Sequence, residues 1–260
     1  MNTYPDISKA KISLASSLSQ RKIRKKENKF VVEGRKSVSD TLDHYELEYI
    51  AALPEWIEEN SGLCEQIAGK IYVADATDMR KISSLTTPPD VVAIYKLPEA
   101  TSTEELMTSP LKEDLYLMLD SIQDPGNLGT IIRTAHWFGI KRIFASPMTA
   151  DVYNPKTVQS SMGSISAVSV DYIDLHFIVS RNRNLPVIGL QLEGDNIYTT
   201  PLPTSGFIVM GNEGNGLSPS MMNELDIKLT IPPYNPSNHP ESLNVAVATA
   251  ITLSQFRSRT

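Results

Sequence analysis

Three stretches of the sequence place polar side chains just after an apolar strand, and the first runs from Leu119 to Gly139. After a Pro-Gly turn its apolar residues follow helical spacing, which predicts a helix over 127–138 with Asn127 as its N-cap. Arg133 lies on the second turn, away from the apolar face, and its guanidinium suits a phosphate or a ribose hydroxyl. A surface arginine and a simple helix cap are the alternative interpretations of these two residues.

The second stretch, Gly206–Ser218, joins an apolar strand to a loop with glycines at positions 211, 214 and 216. Glycine lets a backbone turn sharply or approach another group closely. The spacing is not that of a dinucleotide-binding fingerprint, and no Lys-Ser/Thr pair follows as in a P-loop. Glu213 lies on this loop, where its carboxylate could act in acid–base chemistry or accept a hydrogen bond. Ser218 and Pro219 predict the start of the next helix.

The third stretch contains a proline-rich loop followed by a long apolar helix. Ser242 is predicted as the N-cap of this helix and Asn244 as a residue of its first turn. Because the helix is apolar almost all round, we expect it to be buried on several sides, in part by another subunit. His239 is interpreted as an exposed loop residue, and the spacing of the four histidines predicts no metal site.

The elements that must position these residues alternate between strands and helices after residue 114. The predicted strands are LYLMLD, RIFAS, LPVIGLQL, FIVMG and IKLTI, and the predicted helices cover 127–138, 155–162, 175–183, 219–225 and 243–257. This alternation predicts an α/β domain with a mostly parallel sheet covered on both faces. Ligands bind at the carboxyl ends of the strands in such sheets, which is where Arg133 is expected.

The first part of the chain predicts a separate domain. Short strands and helices alternate over residues 1–97, which indicates a small α/β domain. Residues 98–114 are rich in Pro, Thr, Ser and Glu and predict a linker to a second domain over 115–260.

Charge is distributed unevenly along the chain. The net charge of −6 argues against a generally basic nucleic-acid-binding protein, yet residues 1–36 hold ten Lys/Arg and only three Asp/Glu. A basic segment of this kind can follow a phosphate backbone, and the alternative is a solvated, flexible start. The candidate nucleic-acid contacts are Arg21, Lys22, Arg24, Lys25, Lys26, Lys29 and Arg35.

Two features bear on location. No apolar run approaches the length of a membrane span, and the N-terminus lacks the pattern of a signal peptide. The single Cys64 excludes an internal disulfide and fits a reducing compartment. We therefore expect a cytoplasmic protein.

Taken together, the motifs resemble the SpoU (TrmH) branch of the SPOUT RNA methyltransferases. The matching segments are DPGNLGTIIRTAHWFG, NPKTVQSSMG, IVMGNEGNGLS and IP…ESLNVAVATAI, in that order. The segment FVVEGRKSVSDTL, after the basic run, is similar to the family's substrate-binding domain, which has a ribosomal-protein-like fold. One departure is the link PYNPSNHPE before Ser242, which is longer than usual and lacks glycine.

The resemblance implies methyl transfer from S-adenosylmethionine to a ribose 2′-hydroxyl in structured RNA, with rRNA favoured over tRNA. The residues implied in the reaction are Asn127, Arg133, Glu213, Ser242 and Asn244, and those implied in binding the cofactor are Leu190, Gly211, Ile231 and Leu243. A side chain at Gly211 is expected to push the ligand away. We expect Arg133 to anchor phosphate and ribose rather than to act as a base, since arginine stays protonated.

The resemblance also implies a trefoil-knotted catalytic domain that forms a homodimer and binds RNA, without metal or membrane. Two alternatives remain at this point. The atypical link before Ser242 leaves open an RNA-binding or assembly protein that has lost catalysis. The parallel sheet alone supports a nucleotide-cofactor oxidoreductase, against which the glycine spacing argues.

Overall fold

The structure, a computed structural model, describes residues 4–108 and 111–258. The strands are β1 (Lys29–Glu33), β2 (Leu47–Ala52), β3 (Ile71–Val73), β4 (Val91–Lys96), β5 (Leu115–Asp120), β6 (Arg142–Ala145), β7 (Ser169–Tyr172), β8 (Val187–Asn196), β9 (Gly206–Gly211) and β10 (Ile227–Thr230). The helices are α1 (Lys9–Ser17), α2 (Arg21–Glu27), α3 (Arg35–Thr41), α4 (Pro54–Glu59), α5 (Ser61–Gln66), α6 (Ala76–Ile82), α7 (Thr103–Thr108), α8 (Pro125–Trp137), α9 (Pro155–Ser161), α10 (Leu175–Arg181), α11 (Pro219–Met222) and α12 (Val245–Arg257).

The chain divides into two compact units. The first contains the chain up to Glu99 together with Tyr153–Ser166, and the second contains Ala100–Val152 together with the chain from Ala167 onward. The predicted linker thus belongs mostly to the second unit, where it includes α7.

The first unit is built on a four-stranded sheet in the order β1-β4-β2-β3. β4 runs antiparallel to both of its neighbours, whereas β2 and β3 are parallel. Helices α1 and α6 pack against each other, and their apolar residues join a core with the sheet residues Val31, Tyr49 and Ile94. The sheet is therefore a platform covered by the helix that leads into the basic segment.

A segment distant in sequence completes the first unit. The sequence analysis places α9 in the second domain, but Tyr153–Ser166 packs with the first. The ring of Tyr153 lies 4.7 Å from that of Phe30, and the hydroxyl of Tyr45 donates to the carbonyl of Ile165 at 2.7 Å. Packing of aromatic rings thus places α9 in the first unit. The spacing of residues in the sequence does not reveal the contact between Tyr153 and Phe30.

The second unit confirms the predicted parallel sheet. Six strands lie in the order β10-β8-β9-β5-β6-β7, and every neighbouring pair is parallel. β7 is a strand that the sequence analysis did not predict. Residues of α10 and α11 share a buried apolar cluster with strand residues such as Met118, Phe144 and Phe207. α12 packs against α8 and β9.

No helix among the described residues is long and apolar enough to cross a membrane.

Candidate active site

The candidate site lies in the sheet of the second unit, at the point where the order in which the chain adds strands reverses. β5 and β9 are neighbours, but the chain continues from β5 to β6 on one side and from β9 to β10 on the other. Asp120 and Gly211, the last residues of these two strands, pair in register, so the two following loops begin at the same level. Such a switch point at the carboxyl edge is where open parallel sheets bind ligands.

The first loop leads into α8, whose start differs from the prediction. Asp124, not Asn127, is the N-cap, and its carboxylate accepts a hydrogen bond from the Asn127 amide N–H at 2.9 Å. Asn127 lies within the first turn of the helix. Because Asp124 caps the helix, the side chain of Asn127 can form other contacts.

Asn127 is the centre of a hydrogen-bonded chain of three predicted site residues. Its Nδ2 donates to Oε1 of Glu213 at 3.0 Å, and its Oδ1 accepts from Nδ2 of Asn244 at 3.0 Å. The other oxygen of Glu213 accepts from the backbone N–H of Gln123 at 3.4 Å. These bonds connect residues 86 and 117 positions apart, one from each of the three polar stretches.

The glycine loop after β9 is shaped by Asn212, which the sequence analysis did not select. Its Oδ1 accepts from the backbone N–H groups of Gly214 and Asn215, both at 3.0 Å. Its Nδ2 donates to the carbonyl of Ser121 at 2.8 Å, which ties the loop to the end of β5. The sequence signal was an Asn directly after a strand, a residue type that often closes such turns.

A second tie comes from Asp120, which is 5% exposed. Its Oδ2 accepts from the backbone N–H of Ser218 at 2.7 Å, at the predicted and confirmed N-cap of α11. The loop that carries Glu213 is thus bound to the end of β5 on both sides. Sequence reasoning missed this residue because a strand-terminal Asp has many uses.

Gly211 is required by the folding of its own loop. A Cβ at this position would lie 2.4 Å from the carbonyl carbon of Gly216 and 2.5 Å from the nitrogen of Leu217. The loop folds back on its own start, where Asn212 and Gly216 exchange two backbone hydrogen bonds of 2.9 Å. A side chain at position 211 would therefore clash within the loop itself.

In the third stretch, α12 begins after Asn244. This residue, not Ser242, is the N-cap, and its Oδ1 accepts from the N–H groups of Ala246 and Val247 at 2.9 and 3.3 Å. The amide of Asn244 therefore caps the helix with its oxygen and contacts Asn127 with its nitrogen. Ser242 lies two positions earlier on an exposed segment.

Arg133 lies apart from this hydrogen-bonded chain. It is exposed on α8, and no hydrogen bond joins it to the other four predicted residues in the described part of the chain. Trp137, one turn further along the same helix, is 85% exposed. The exposed face of α8 therefore presents a cation and a large aromatic ring to solvent.

The predicted cofactor residues follow the ends of adjacent strands. Leu190 follows Gly189, the last residue of β8 that pairs with β9. Gly211 is the last residue of β9, and Ile231 directly follows β10 on the other side of β8. Leu243 adjoins the N-cap of α12 and is 49% exposed. Leu190 and Ile231 are half-buried.

Within β8, the five residues 190–194 bulge out of the register with β10. Gly189 pairs with Lys228 and Asp195 with Leu229, so residues 190–194 of β8 lie opposite a single step of β10. The Oγ1 of Thr230 donates to the carbonyl of Leu192 at 3.1 Å and holds the bulge in place.

The basic residues of the first unit divide into two groups. Lys22, Lys25 and Lys26 are exposed on α2, and Lys26 pairs with Glu27 at 3.6 Å. Arg21 is exposed at the start of the same helix. Lys29 pairs with Glu48 at 3.0 Å, and its side chain is only 18% exposed.

Two of the predicted cations serve the fold. Arg24 is 1% exposed, and its Nη1 donates to the carbonyls of Leu18 and Ser19 at 2.8 and 2.9 Å. Because its guanidinium lies inside the unit, Arg24 is withdrawn as a candidate RNA contact. Arg35 bonds to the carboxylates of Glu59 and Asp90, which raise the pKa of its guanidinium.

Among residues 4–108 and 111–258, no group of three or more His, Cys, Asp or Glu side chains has the geometry to hold a metal ion.

Comparison with known proteins identifies both parts of the chain. Residues 114–254 match the SpoU rRNA Methylase family, and residues 9–93 match the MRM3-like substrate binding domain. The 23S rRNA (guanosine(2553)-2′-O)-methyltransferase RlmP of Bacillus subtilis is 32% identical over 253 residues, which cover 92% of this chain and 93% of RlmP.

Solved structures agree over nearly the whole chain. A protein from Porphyromonas gingivalis, described as an RNA methyltransferase of the TrmH family, superposes with a TM-score of 0.82 at 35% identity and covers 98% of this chain and 99% of its own. The AdoMet-bound rRNA methyltransferase from Sinorhizobium meliloti gives a TM-score of 0.83 at 26% identity and covers 98% and 97%. On this evidence the chain belongs to the SpoU rRNA methylase family.

Proposed function

We propose that this protein transfers a methyl group from S-adenosylmethionine to a ribose 2′-hydroxyl of rRNA. The observation that carries the proposal is the hydrogen-bonded chain Asn244–Asn127–Glu213, which joins three separate family motifs at the switch point of the sheet. The relatives support rRNA as the substrate, since RlmP of B. subtilis acts on 23S rRNA.

The protein's own part in the reaction is to orient the acceptor hydroxyl and take up its hydrogen bond. Bound S-adenosylmethionine supplies an electrophilic methyl group on a sulfonium centre. Glu213 offers the carboxylate to which the ribose hydroxyl would donate, and Asn127 together with the N–H of Gln123 holds both of its oxygens. Fixing one acceptor in this way lowers the entropic cost of reaching an in-line geometry.

Arg133 and Ser242 have supporting places in this proposal. Arg133 is exposed on the helix that carries Asn127, and its guanidinium can hold the phosphate next to the target ribose. Ser242 lies on the exposed segment two residues before Asn244, where its hydroxyl can contact the same nucleotide.

The residues at the strand ends fit an adenosyl group chemically. Leu190 and Ile231 supply half-buried apolar side chains at neighbouring strands, and Leu243 supplies an exposed one. An apolar flank beside loop backbone, here at Gly211, is typical of pockets that hold a flat base. We therefore propose these four residues as the cofactor-binding set.

RNA binding is assigned to the first unit and to the exposed cations of α2. Arg21, Lys22, Lys25 and Lys26 remain as proposed phosphate contacts because they are exposed on α2. The side chain of Lys29 is only 18% exposed, and Arg35 is bonded to two carboxylates. This ranks the first four above the other two.

A homodimer through the second unit is part of the same proposal. Trp137 on α8 and Val247 on α12 are 85% and 49% exposed, and these two helices pack against each other. Large exposed apolar groups on neighbouring helices support an interface with a second copy. The expected location is the cytoplasm, and the expected trefoil knot rests on the family.

The test is methyl transfer by the purified protein from labelled S-adenosylmethionine to rRNA and, separately, to bulk tRNA. We expect ribose methylation at one rRNA position with the wild type and none with Glu213→Ala. Methylation of tRNA alone would show that the substrate is tRNA and not rRNA. Cofactor binding with no methylation of either RNA would support a binding or assembly protein, and no cofactor binding would overturn the proposal.

A further inference from the structure

The side-chain nitrogen of Gln191, in the bulge of β8, has no hydrogen-bond partner among residues 4–108 and 111–258. The Nε2 of Gln191 is shielded from solvent, yet it forms no hydrogen bond within the described part of the chain. Buried polar side-chain atoms are almost always hydrogen-bonded, so each exception needs a physical explanation. Leaving a buried donor without a partner destabilises a folded protein.

The position of Gln191 points to the cofactor site. It follows Leu190 directly and is the second residue of the bulge at 190–194. Gly189, two residues earlier, is the last residue of β8 that pairs with β9, where its partner is Val209. The unpaired nitrogen thus belongs to the segment of β8 that lies just beyond its pairing with β9 and that also carries Leu190.

The bulge itself is firmly built. A Cβ at Gly194 would lie 2.8 Å from the carbonyl oxygen of Lys228, so the strand returns closely against β10. Thr230 holds the carbonyl of Leu192 from the same side. Leu192 is 72% exposed, so this residue of the bulge faces solvent.

We infer that Gln191 binds S-adenosylmethionine by donating a hydrogen bond from Nε2 to an acceptor atom of its adenosyl part. This inference rests on the proposed function. Adenine nitrogens and ribose oxygens are acceptors for a side-chain amide, and Leu190, the preceding residue, belongs to the proposed cofactor-binding set. Gln191 thus gives an otherwise apolar set of side chains one hydrogen-bond donor that can distinguish between ligands.

The experiment compares the wild type with Gln191→Met, Gln191→Glu and the matched control Leu192→Ala in the same bulge. Calorimetry measures the Kd for S-adenosylmethionine and S-adenosylhomocysteine, and thermal unfolding measures the ligand-free stability. We expect Gln191→Met to raise both Kd values about tenfold, because the ligand's acceptor loses its donor. The ligand-free Tm should stay level or rise, since the unpaired buried donor has been removed.

The control and the glutamate variant sharpen the result. Leu192→Ala should leave both Kd values unchanged, because the side chain points to solvent. Gln191→Glu keeps the shape but loses the donors, so it should bind at least as weakly as the methionine variant. Wild-type affinity in Gln191→Glu would overturn the donor role.

Other outcomes separate the two proposals. If the wild type does not bind S-adenosylmethionine, the proposed function fails. If it binds and Gln191→Met binds equally well with a lower ligand-free Tm, Gln191 is only structural and this inference fails. 5′-Methylthioadenosine, which lacks the amino-acid part, should show the same loss; an unchanged Kd for it would overturn the adenosyl assignment.

Discussion

The two sets of residues selected from the sequence behave differently in the fold. In the second unit, Asn127, Glu213 and Asn244 come from distant motifs and bond to one another. In the first unit, the basic residues all lie between positions 21 and 35, yet Arg24 is buried and Arg35 is held by two carboxylates. Three residues of the scattered set are joined by hydrogen bonds, whereas the contiguous set is divided between exposed, ion-paired and buried side chains.

The difference follows from what gathers each set. A parallel sheet brings the carboxyl ends of its strands to one edge, so polar residues after strands meet whatever their separation. A run of charges on a short helix is distributed around its axis, because successive side chains point in different directions. Charge content alone therefore overestimates how many cations face a ligand.

Among the variants that test this difference between the two sets, Asn127→Ala should have the largest effect. This change removes the bond to Glu213 and the bond from Asn244 together. We expect the rate of methyl transfer to fall about 100-fold, as for a misplaced catalytic group, with little change in the Kd of S-adenosylmethionine. Single-turnover kinetics and calorimetry measure the two quantities.

A suitable control for that variant is Asn182→Ala. Asn182 ends α10 and its Nδ2 donates to the carbonyl of Ile178 at 2.8 Å, before the opposite, amino end of β8. Its rate should stay within about twofold, because no site residue depends on it. A rate for Asn127→Ala near that of the control would break the idea of a joint site.

A smaller effect, on stability, is expected for Arg24→Met. The variant keeps most of the apolar stem but leaves the carbonyls of Leu18 and Ser19 without their donor. Loss of these bonds should cost about 2 kcal/mol of the free energy of unfolding. Thermal unfolding should show a Tm lower by roughly 4–8 °C.

RNA affinity of the folded Arg24→Met protein should match that of the wild type, measured well below its Tm. A weaker affinity at unchanged Tm would restore Arg24 as an RNA contact. That result would also remove the contrast between the two residue sets.

The smallest effect is expected for the double variant Lys22→Ala/Lys25→Ala. Both side chains are exposed on α2, so their loss should leave Tm unchanged. Each lost phosphate contact should reduce the slope of log affinity against log salt concentration by roughly 0.7–0.9. Filter binding to rRNA fragments between low and moderate salt measures the slope.

Lys81→Ala provides the charge-matched comparison for one lysine. Lys81 pairs with Asp78 at 3.0 Å on α6 and is 56% exposed. An equal change per lysine in both variants would mean that net charge, not position on α2, sets the affinity.

The sequence predicted the parallel sheet and the three polar stretches because these depend on strand patterns and residue types. It misassigned two helix caps, since Asp124 and Asn127, or Ser242 and Asn244, are equally good capping residues by type. The unpaired amide of Gln191 and the tie from Asp120 were not predictable, because both depend on strand register and on loop geometry. Residue types in the sequence thus predict which stretches carry polar side chains. Which of two similar nearby residues caps a helix depends on packing in the folded chain.

The packing of Tyr153–Ser166 with the first unit has a consequence for how the protein is made. The chain leaves that unit after Glu99 and returns to it only at Tyr153. During synthesis on the ribosome, the aromatic cluster around Phe30 and Tyr45 must wait for Tyr153 to emerge before it is complete. The N-terminal unit therefore cannot reach its final packing first, in contrast to the usual order in which domains fold as they appear.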